Sequence, residues 1–298
     1  MSDVIHRVVP EGSIDTHVHV FDPAWFAYAG DRDYTPAQAD LDDVRAYGRT
    51  IGLDRFVFVQ PSVYGTDNSA LLAALKLHGA ERSRGVAVVG PETSEGELEV
   101  LRAAGVRGLR LNVKSNPDGG KADVREPLQE LVARARPYGL AVELFCSATS
   151  LAGAADLIAA SPVPVILDHF GGVKVADDGT VNGLPQVIDL LSLPHVWVKL
   201  SAPYRVAGAG AASPAIPIIV RALVEARADR LVWASDWPHT GGGADRKRRG
   251  PSAVEPFRDI DDVAETSSFL AWLETSNLAR QILVDNPARL FDFGPTEH

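Results

Sequence analysis

The strongest constraint on the fold is a regular alternation of short β-rich runs with longer segments of helical periodicity along all 298 residues. Such alternation is typical of a parallel sheet whose strands are joined by helices, and eight strands can close a barrel. The eight runs predicted as strands are Ser13–His19, Arg55–Pro61, Gly85–Gly90, Val106–Lys114, Leu140–Cys146, Pro164–His169, Val196–Ser201 and Leu231–Asp236. The sequence therefore predicts an α/β fold, a single-domain (β/α)8 TIM barrel spanning residues 1–298.

An open, doubly wound sheet is the other architecture compatible with this alternation. Its first strand is usually followed by a glycine-rich turn, but Ser13–Pro23 contains no glycine. The barrel is therefore favoured. One long irregular segment, Pro238–Glu265, follows the eighth predicted strand. Long loops in compact domains are usually functional, so we expect this segment at the rim where substrates enter.

Composition and charge limit the class of function. The formal net charge is −10 and the only basic run is Arg246–Arg249, so a nucleic-acid-binding face is not expected. We interpret this run as a solvated loop, with a local anion-binding lid as the alternative. The single cysteine, Cys146, fits a reducing compartment, and neither a secretory signal nor a membrane span is recognisable. We expect a cytoplasmic protein, and a homodimer remains open.

Buried polar side chains in the predicted strands are the first functional signal. Parallel strands are buried on both faces, so a polar residue within one needs a reason. In the first strand, alternation places Ile14 and Val18 on one face and Asp15, His17 and His19 on the other. The apolar face suits the helix layer. The two histidines are therefore predicted to face the barrel interior.

The same alternation predicts a polar cluster where the strands end. In the sixth strand, His169 is predicted on the inner face with Val165 and Leu167, and Asp168 on the opposite face; Asp236 ends the eighth strand. Barrel active sites lie at the C-terminal ends of the strands, so the clustering favours a catalytic site. The inward polar residues are predicted to be His17, His19, Gln60, Arg110, Asn112, Lys114, His169, Ser201 and Asp236.

Three motifs show a family resemblance: Asp15-Thr-His-Val-His19, Leu167-Asp-His-Phe-Gly171 and Ser235-Asp-Trp-Pro-His239. In this order they resemble the amidohydrolase superfamily, in particular the branch that contains 2-pyrone-4,6-dicarboxylate lactonase and sugar lactonases. The resemblance covers nearly the whole chain. It implies the hydrolysis of a cyclic ester, a lactone.

The resemblance also implies roles for the residues in these motifs. Asp236 would be the general base that takes a proton from water, and His17, His19 and His169 would donate hydrogen bonds to the lactone carbonyl. This chemistry is reasonable by itself, because a positioned carboxylate accelerates proton transfer. Preorganised donors stabilise an oxyanion as it forms.

Metal chemistry is the main alternative for the same residues, since imidazole and carboxylate groups suit Zn²⁺. Metal-dependent relatives often carry a histidine on the fifth strand, where this chain presents Glu143 inward. No metal is therefore expected. If a single divalent metal binds, the expected ligands are His17, His19 and Asp236.

An anionic substrate needs fixed positive donors, and arginine meets a carboxylate with two hydrogen bonds. In the resembling lactonases a second arginine follows the fourth strand, where this chain reads Lys114-Ser-Asn-Pro117. A dicarboxylate, a monocarboxylate, a sulfonated lactone and a neutral sugar lactone therefore all stay open. The predicted substrate-binding residues are Arg110, Lys114, Arg205, Tyr204, Tyr64, Gln60 and His239.

Other functions fit the same scaffold. A zinc-dependent amidohydrolase or decarboxylase would require the metal, and a lactone isomerase would use the same base and the same polarised carbonyl. If the barrel only bound a ligand without catalysis, we would expect at least one of the inward polar residues to be replaced. None of His17, His19, His169 and Asp236 is missing, so this is the least favoured alternative.

Overall fold

The computed structural model describes residues 7–113, 123–242, 246 and 248–294. Its centre is an eight-stranded sheet in which sequence neighbours pair in parallel. The strands are β1 (Ile14–Val18), β2 (Arg55–Val59), β3 (Ser83–Ala87), β4 (Val106–Asn112), β5 (Ala141–Phe145), β6 (Val165–Leu167), β7 (Val196–Ser201) and β8 (Leu231–Ala234). The backbone N–H of Asp236 donates to the carbonyl of His17 at 3.0 Å, which joins the two ends of the sheet. The predicted TIM barrel is confirmed.

Helices cover the outside of this barrel, and side-chain caps fix where several of them begin. Asp40 and Ser94 each form a capping box, the former at α1 and the latter at α3. The helices are α1 (Leu41–Ile51), α2 (Ser69–His78), α3 (Glu95–Ala103), α4 (Arg125–Ala135), α5 (Ala148–Gly153), α6 (Ala155–Ala159), α7 (Leu184–Leu191), α8 (Ala215–Arg227), α9 (Asp262–Trp272), α10 (Ser276–Arg280) and α11 (Asn286–Phe291). Within the described part of the chain, no helix has the length and apolar character that crossing a membrane requires.

Two apolar clusters pack against the barrel wall, one on its outer side and one on its inner side. The larger one lies between the strands and the helices. The smaller one fills the barrel beneath the polar strand ends, so those polar groups rest on a packed floor. Its buried members are Ile14, Val57, Val59, Val86, Ala141, Ile166, Trp197, Val232, Phe291 and Phe293.

The predicted alternation in β1 is wrong for two of its residues. Ile14 belongs to the inner cluster, and Asp15 accepts a hydrogen bond from Tyr47 of α1 at 2.8 Å, outside the barrel. A register irregularity after Asp15 explains the difference, because a bulge shifts the residues that follow it to the other face. His17 and His19 therefore still reach the interior.

The predicted faces of β6 are also wrong. Val165 and Leu167 pack in the outer cluster, whereas Ile166 packs in the inner one. Asp168 consequently points inward, contrary to the prediction. His169 has a left-handed backbone with φ of 48°, and this turn brings its ring back to the interior next to Asp168.

Two loops meet above the barrel and form a roof. The two-residue strand Thr35–Pro36, which follows β1, pairs in parallel with Val254–Glu255, which follows β8. The hydroxyl of Thr35 donates to the carbonyl of Pro251 at 2.6 Å. The segment predicted as one long irregular loop thus contains a short strand and the beginning of α9.

Candidate active site

Four buried side chains from three separate stretches of the chain converge at the C-terminal end of the barrel. The Oδ1 atom of Asp236 lies 3.6 Å from Nε2 of His19, 3.7 Å from Nε2 of His17 and 3.9 Å from Nε2 of His169. All four side chains are at most 5% exposed. The structure therefore brings together the residues that the sequence predicts as catalytic.

Unusual backbone conformations aim two of these groups. Asp236 and His169 have left-handed φ angles of 68° and 48°, which non-glycine residues rarely adopt. Both lie just after a strand, where the chain turns away from the barrel wall. Such strain persists only where the surrounding structure enforces it, and it is concentrated at functional sites.

Hydrogen bonds fix the positions of the imidazole protons. Nδ1 of His19 lies 2.8 Å from the carbonyl oxygen of Val59, which can only accept, so this nitrogen carries the proton and a neutral His19 presents a lone pair at Nε2. Nδ1 of His17 lies 3.1 Å from Nζ of Lys199, closer than Oδ1 of Asp168 at 3.4 Å. Donation from the Lys199 ammonium to Nδ1 places the proton of a neutral His17 on Nε2, whereas donation from Nδ1 to Asp168 would leave a lone pair there.

His169 is held by a serine hydroxyl, which can donate or accept a hydrogen bond. Its Nδ1 lies 2.8 Å from Oγ of Ser201, and its ring meets the ring of Phe145 edge-on at 4.7 Å. Burial lowers the pKa of His169 to about 3. Burial, followed by the charge of Lys199, also holds the pKa of His17 well below its ordinary value. Both rings are therefore neutral at pH 7.

Asp236 is an ionised carboxylate with one oxygen occupied. Its Oδ2 accepts hydrogen bonds from Nε of Arg205 at 2.6 Å and from the hydroxyl of Tyr204 at 2.8 Å. Burial alone would raise the pKa of Asp236, but Arg205 and then His169 hold it well below its ordinary value. Among the described residues, Oδ1 has no hydrogen-bond donor. This oxygen is available to accept a proton.

An inner charge layer lies directly beneath the site and consists of Arg110, Glu143, Asp168 and Lys199. Lys199 contacts Glu143 at 2.5 Å, and Arg110 contacts Asp168 at 2.9 Å and Glu143 at 3.2 Å. All four side chains are at most 5% exposed. Burial, and then Asp168, raises the pKa of Glu143 to about 7. Two cations and two carboxylates thus neutralise one another, as buried charges require.

A cavity of about 270 Å³ opens above Asp236. Its described lining includes four arginines, one lysine and a single carboxylate, that of Asp236, which makes it suited to an anion. The lining residues are His19, Tyr34, Pro61, Ser62, Arg110, Asn112, Phe145, His169, Lys174, Tyr204, Arg205, Asp236, Thr240, Gly241, Gly242, Arg246 and Arg258.

The predicted substrate-binding residues divide into those at the cavity and those beside it. Arg110, Tyr204 and Arg205 line the cavity. His239 lies one step behind, with Nδ1 at 3.3 Å from the Tyr204 hydroxyl and Nε2 at 2.9 Å from Asp262. It therefore positions Tyr204. Lys114, the remaining predicted cation, lies outside the described residues.

Two further predicted residues shape a loop instead of lining the cavity. The amide of Gln60 donates to the carbonyl of Asp67 at 2.7 Å. The hydroxyl of Tyr64 accepts from the backbone N–H of Asp22 at 2.8 Å. Neither side chain belongs to the cavity lining. Their polar atoms instead form hydrogen bonds to backbone groups of loops. Strand alternation alone does not reveal these partners.

Sequence reasoning missed several lining residues that lie on loops. Tyr34, Lys174 and Arg258 are among them, and the prediction of a solvated loop at Arg246–Arg249 is wrong for Arg246. The Arg246 guanidinium contacts Glu255 at 2.7 and 2.9 Å and lies 3.6 Å from the centre of the Tyr34 ring. The alternative interpretation, an anion-binding lid, was the only signal for it.

Two groups of described residues have donor atoms close enough to hold a metal ion, namely His17 with His19 and Asp236, and His17 with Asp168 and His169. The first group equals the ligand set predicted for a metal. Oδ1 of Asp236 and Nε2 of His17 have no hydrogen-bond partner among the described residues, so this group could hold an ion. The Arg205 guanidinium, at 2.6 Å from the other carboxylate oxygen, Oδ2, adds a positive charge that disfavours a dication there.

Known proteins resemble this chain over almost its whole length. The 4-sulfomuconolactone hydrolase of Rhizobium radiobacter is 36% identical. The alignment covers 96% of this chain and 92% of that relative. The 2-pyrone-4,6-dicarboxylate hydrolase of Comamonas testosteroni is 32% identical. The alignment covers 95% of this chain and 91% of that relative. One similar solved structure is a probable 2-pyrone-4,6-dicarboxylic acid hydrolase from Acinetobacter baumannii with bound citric acid. It is 26% identical and superposes with a TM-score of 0.74, and the match covers 95% of this chain and 100% of that chain.

A family model agrees with these relatives. The model of the amidohydrolase family matches residues 14–293, which include the strands that carry His17, His19, His169 and Asp236. The relatives and the barrel with its histidine and aspartate cluster lead to the same conclusion. The chain belongs to the amidohydrolase family.

Proposed function

We propose that this protein is a hydrolase that opens an anionic lactone. The observation that carries the proposal is the Oδ1 atom of Asp236, an ionised and unoccupied carboxylate oxygen below a cationic cavity and within 4 Å of three imidazole Nε2 atoms. A buried base beside hydrogen-bond donors is what water addition to a carbonyl requires. Relatives named as lactone hydrolases support the choice of a cyclic ester as substrate.

The mechanism begins with water above Asp236. Oδ1 accepts one proton while the water oxygen bonds to the lactone carbonyl carbon, and the C=O electron pair moves to the carbonyl oxygen. The Nε2–H group of His17 donates to this oxyanion, and so does that of His169 when the Ser201 hydroxyl donates to its Nδ1. The carbonyl then re-forms, the ring C–O bond breaks, and the departing ring oxygen takes the proton from Asp236. One water is consumed, and the product is a hydroxy acid.

The proton positions change the role expected for His19. The sequence-based expectation makes all three histidines donors to the carbonyl, but the Nδ1 proton of His19 is used in the bond to the Val59 carbonyl. Its Nε2 can accept a hydrogen bond from water. We therefore assign His19 to orienting the attacking water, and His17 and His169 to the oxyanion.

The charge of the cavity selects the substrate class. Arg110, Lys174, Arg205, Arg246 and Arg258 line it together with one carboxylate. A lactone that carries a carboxylate or a sulfonate suits this lining, whereas a neutral sugar lactone would leave it unused. The relatives are named for 4-sulfomuconolactone and 2-pyrone-4,6-dicarboxylate, and lactones of this kind are our proposed substrates.

We further propose that the reaction needs no metal. Asp236 is ionised without one, since Arg205 holds its pKa low. The proton on Nε2 of His17 serves the oxyanion and would have to leave for a metal to bind. We also propose a single domain over residues 1–298 that acts in the cytoplasm on a small molecule, with Cys146 buried and reduced.

The test is hydrolysis of a lactone panel by the purified protein, with metal content measured and with or without chelator. The panel contains 4-sulfomuconolactone, 2-pyrone-4,6-dicarboxylate, muconolactone and a sugar acid lactone. Acid release should be fastest with an anionic lactone and insensitive to chelator. Asp236→Asn should lower kcat by about 10²–10⁴-fold and keep substrate binding.

Three outcomes would contradict the proposal. Chelator-sensitive turnover would replace the metal-free mechanism with a metal-dependent one. Conversion of one lactone into another without net acid release would indicate an isomerase, an activity for which one relative, 24% identical, is named. Equal rates for wild type and Asp236→Asn would remove the base from its assigned role.

A further inference from the structure

The cations of the cavity differ in how they are neutralised. Arg110 is paired with Glu143 and Asp168 in the inner charge layer, and Arg205 is paired with Asp236. These contacts are 2.6 to 3.2 Å long and buried on the carboxylate side. The two inner guanidinium groups therefore bring little uncompensated charge to a ligand.

Arg246 is neutralised as well. Its guanidinium makes two hydrogen bonds to Glu255, which is only 4% exposed. Its face covers the Tyr34 ring at 3.6 Å. This pair holds the roof over the cavity, so its charge is largely used within the protein.

Lys174 and Arg258 are the two lining cations left over. Within residues 7–113, 123–242, 246 and 248–294, no carboxylate oxygen lies within 4 Å of either charged group. They lie on different loops, one after β6 and the other after β8. Two uncompensated positive charges at one cavity stand out in a chain with a net charge of −10.

Lys174 is fixed in place by the backbone. It begins the two-residue strand Lys174–Val175, which pairs antiparallel with Val181–Asn182, and Val175 donates to the carbonyl of Val206 at 2.9 Å. The ammonium itself donates to the carbonyl of Arg205. Partial desolvation and then the charge of Arg205 lower the pKa of Lys174. A nearby anion would relieve both effects.

Arg258 stands beside the catalytic groups without touching Asp236. Its backbone N–H donates to the carbonyl of His239 at 2.9 Å, and its guanidinium lies 4.9 Å from the centre of the Tyr204 ring. The guanidinium of Arg205 lies 5.4 Å from the same ring. Two guanidinium groups thus flank one ring, and only Arg205 has a carboxylate partner.

We propose that Lys174 and Arg258 form a rim subsite, an anion-binding site at the cavity mouth that holds an anionic group of the substrate away from the carbonyl under attack. The inference rests on the proposed function and deepens it, because it assigns substrate selection to two loop residues. An ammonium and a guanidinium together offer donors to a carboxylate or a sulfonate. The inner guanidinium groups remain committed to the catalytic carboxylate and the inner charge layer.

The experiment compares two probes that differ by one charge and cannot be hydrolysed. The trans,trans-muconate dianion and the sorbate monoanion share a six-carbon diene and differ in a carboxylate against a methyl group. Calorimetric titration measures Kd of each for wild type and for the double variant Lys174→Met/Arg258→Met. Lys76→Met serves as the matched control, because Lys76 is exposed on α2, outside the barrel.

We expect wild type to bind muconate about tenfold or more tightly than sorbate, since each exposed ion pair contributes up to about fivefold. The double variant should bind the two probes about equally, and Lys76→Met should keep the wild-type preference. A double variant that still prefers muconate would overturn the rim subsite. So would an equal loss in Lys76→Met, since the preference would then come from the overall charge.

The same titration separates this inference from the proposed function. A muconate preference that disappears in the double variant, in a protein that opens no lactone, would keep the rim subsite and reject the hydrolase. Lactone hydrolysis together with a muconate preference that is unchanged in the double variant would keep the hydrolase and reject the rim subsite. With an active enzyme, the double variant should raise KM for a doubly anionic lactone by about tenfold, far more than it lowers kcat.

Discussion

The inner charge layer and the rim subsite use charge in opposite ways. Arg110, Glu143, Asp168 and Lys199 come from four adjacent strands, are at most 5% exposed, and neutralise each other. The cations of the rim subsite lie on loops and have no carboxylate partner in the described chain. A buried charge must be paired, whereas an exposed one can stay unpaired at little cost. The barrel strands therefore position the chemistry, and the loops select the ligand.

Removing a charge from the inner layer should have the largest effect on stability. Lys199→Met leaves Glu143 and Asp168 short of a buried cation, and breaking such a pair costs about 3–5 kcal/mol. Urea unfolding would measure the lost free energy. Lys174→Met, the same substitution at the rim, should change it by no more than about 0.5 kcal/mol.

A companion variant tests the reason for that loss. Lys199→Met/Glu143→Gln removes a carboxylate together with its cation, and we expect it to be more stable than Lys199→Met alone. If Lys199→Met were as stable as Lys174→Met, the inner layer would not depend on charge pairing. The contrast between the two regions would then be lost.

Removing a hydrogen-bond donor to the oxyanion should have a slightly smaller effect, measured on the rate. His169→Phe removes one of the two Nε2–H donors assigned to the oxyanion and should lower kcat by about 10²–10³-fold. Ser201→Ala keeps the ring but removes the partner of Nδ1 at 2.8 Å, so its loss should be smaller. A full rate in His169→Phe would show that the ring only fills space.

Arg246 connects the two kinds of region, because it lies outside the barrel strands and yet is paired. Arg246→Met would leave the buried Glu255 without its two short contacts, at a cost of about 1–3 kcal/mol. Proteolysis should then cut the segment after β8 sooner than in wild type. Arg246→Met/Glu255→Gln should recover part of the loss, and an uncut single variant would argue against a roof held by this pair.

The sequence predicts the barrel and its catalytic cluster because both follow from strand periodicity and strand ends. His17, His19 and Asp236 lie where the pattern places them. The pattern fails at Asp15, where a bulge changes the face of the chain. It fails again at Asp168, where strand β6 ends early and a left-handed turn brings His169 inward as well.

Loop residues are the part that periodicity cannot reach. Tyr34, Lys174 and Arg258 enter the cavity only because distant loops pack together, through contacts such as Thr35 with Pro251. Gln60 shows the converse case, an inward prediction whose amide is used by a loop carbonyl. Alternation reports the face of a strand but not the partner of a side chain at its end.

The smallest predicted effect is on pH dependence, and it also separates the two regions. The pKa of Asp236 is held well below its ordinary value and that of His169 is about 3, so neither group changes charge between pH 5 and 8. Glu143 of the inner charge layer has a pKa of about 7 and does titrate in this range, so we expect the pH dependence of kcat between pH 5 and 8 to be modest, to follow Glu143 and to be reduced in Glu143→Gln. Lys174 has a lowered pKa. It loses its proton earlier than an ordinary lysine as pH rises, so KM for an anionic lactone should increase on the alkaline side. In Lys174→Met, KM should be higher at pH 7 and its alkaline increase should be reduced. An alkaline fall in kcat itself, retained in Lys174→Met, would place the titrating group in the catalytic cluster instead of at the rim.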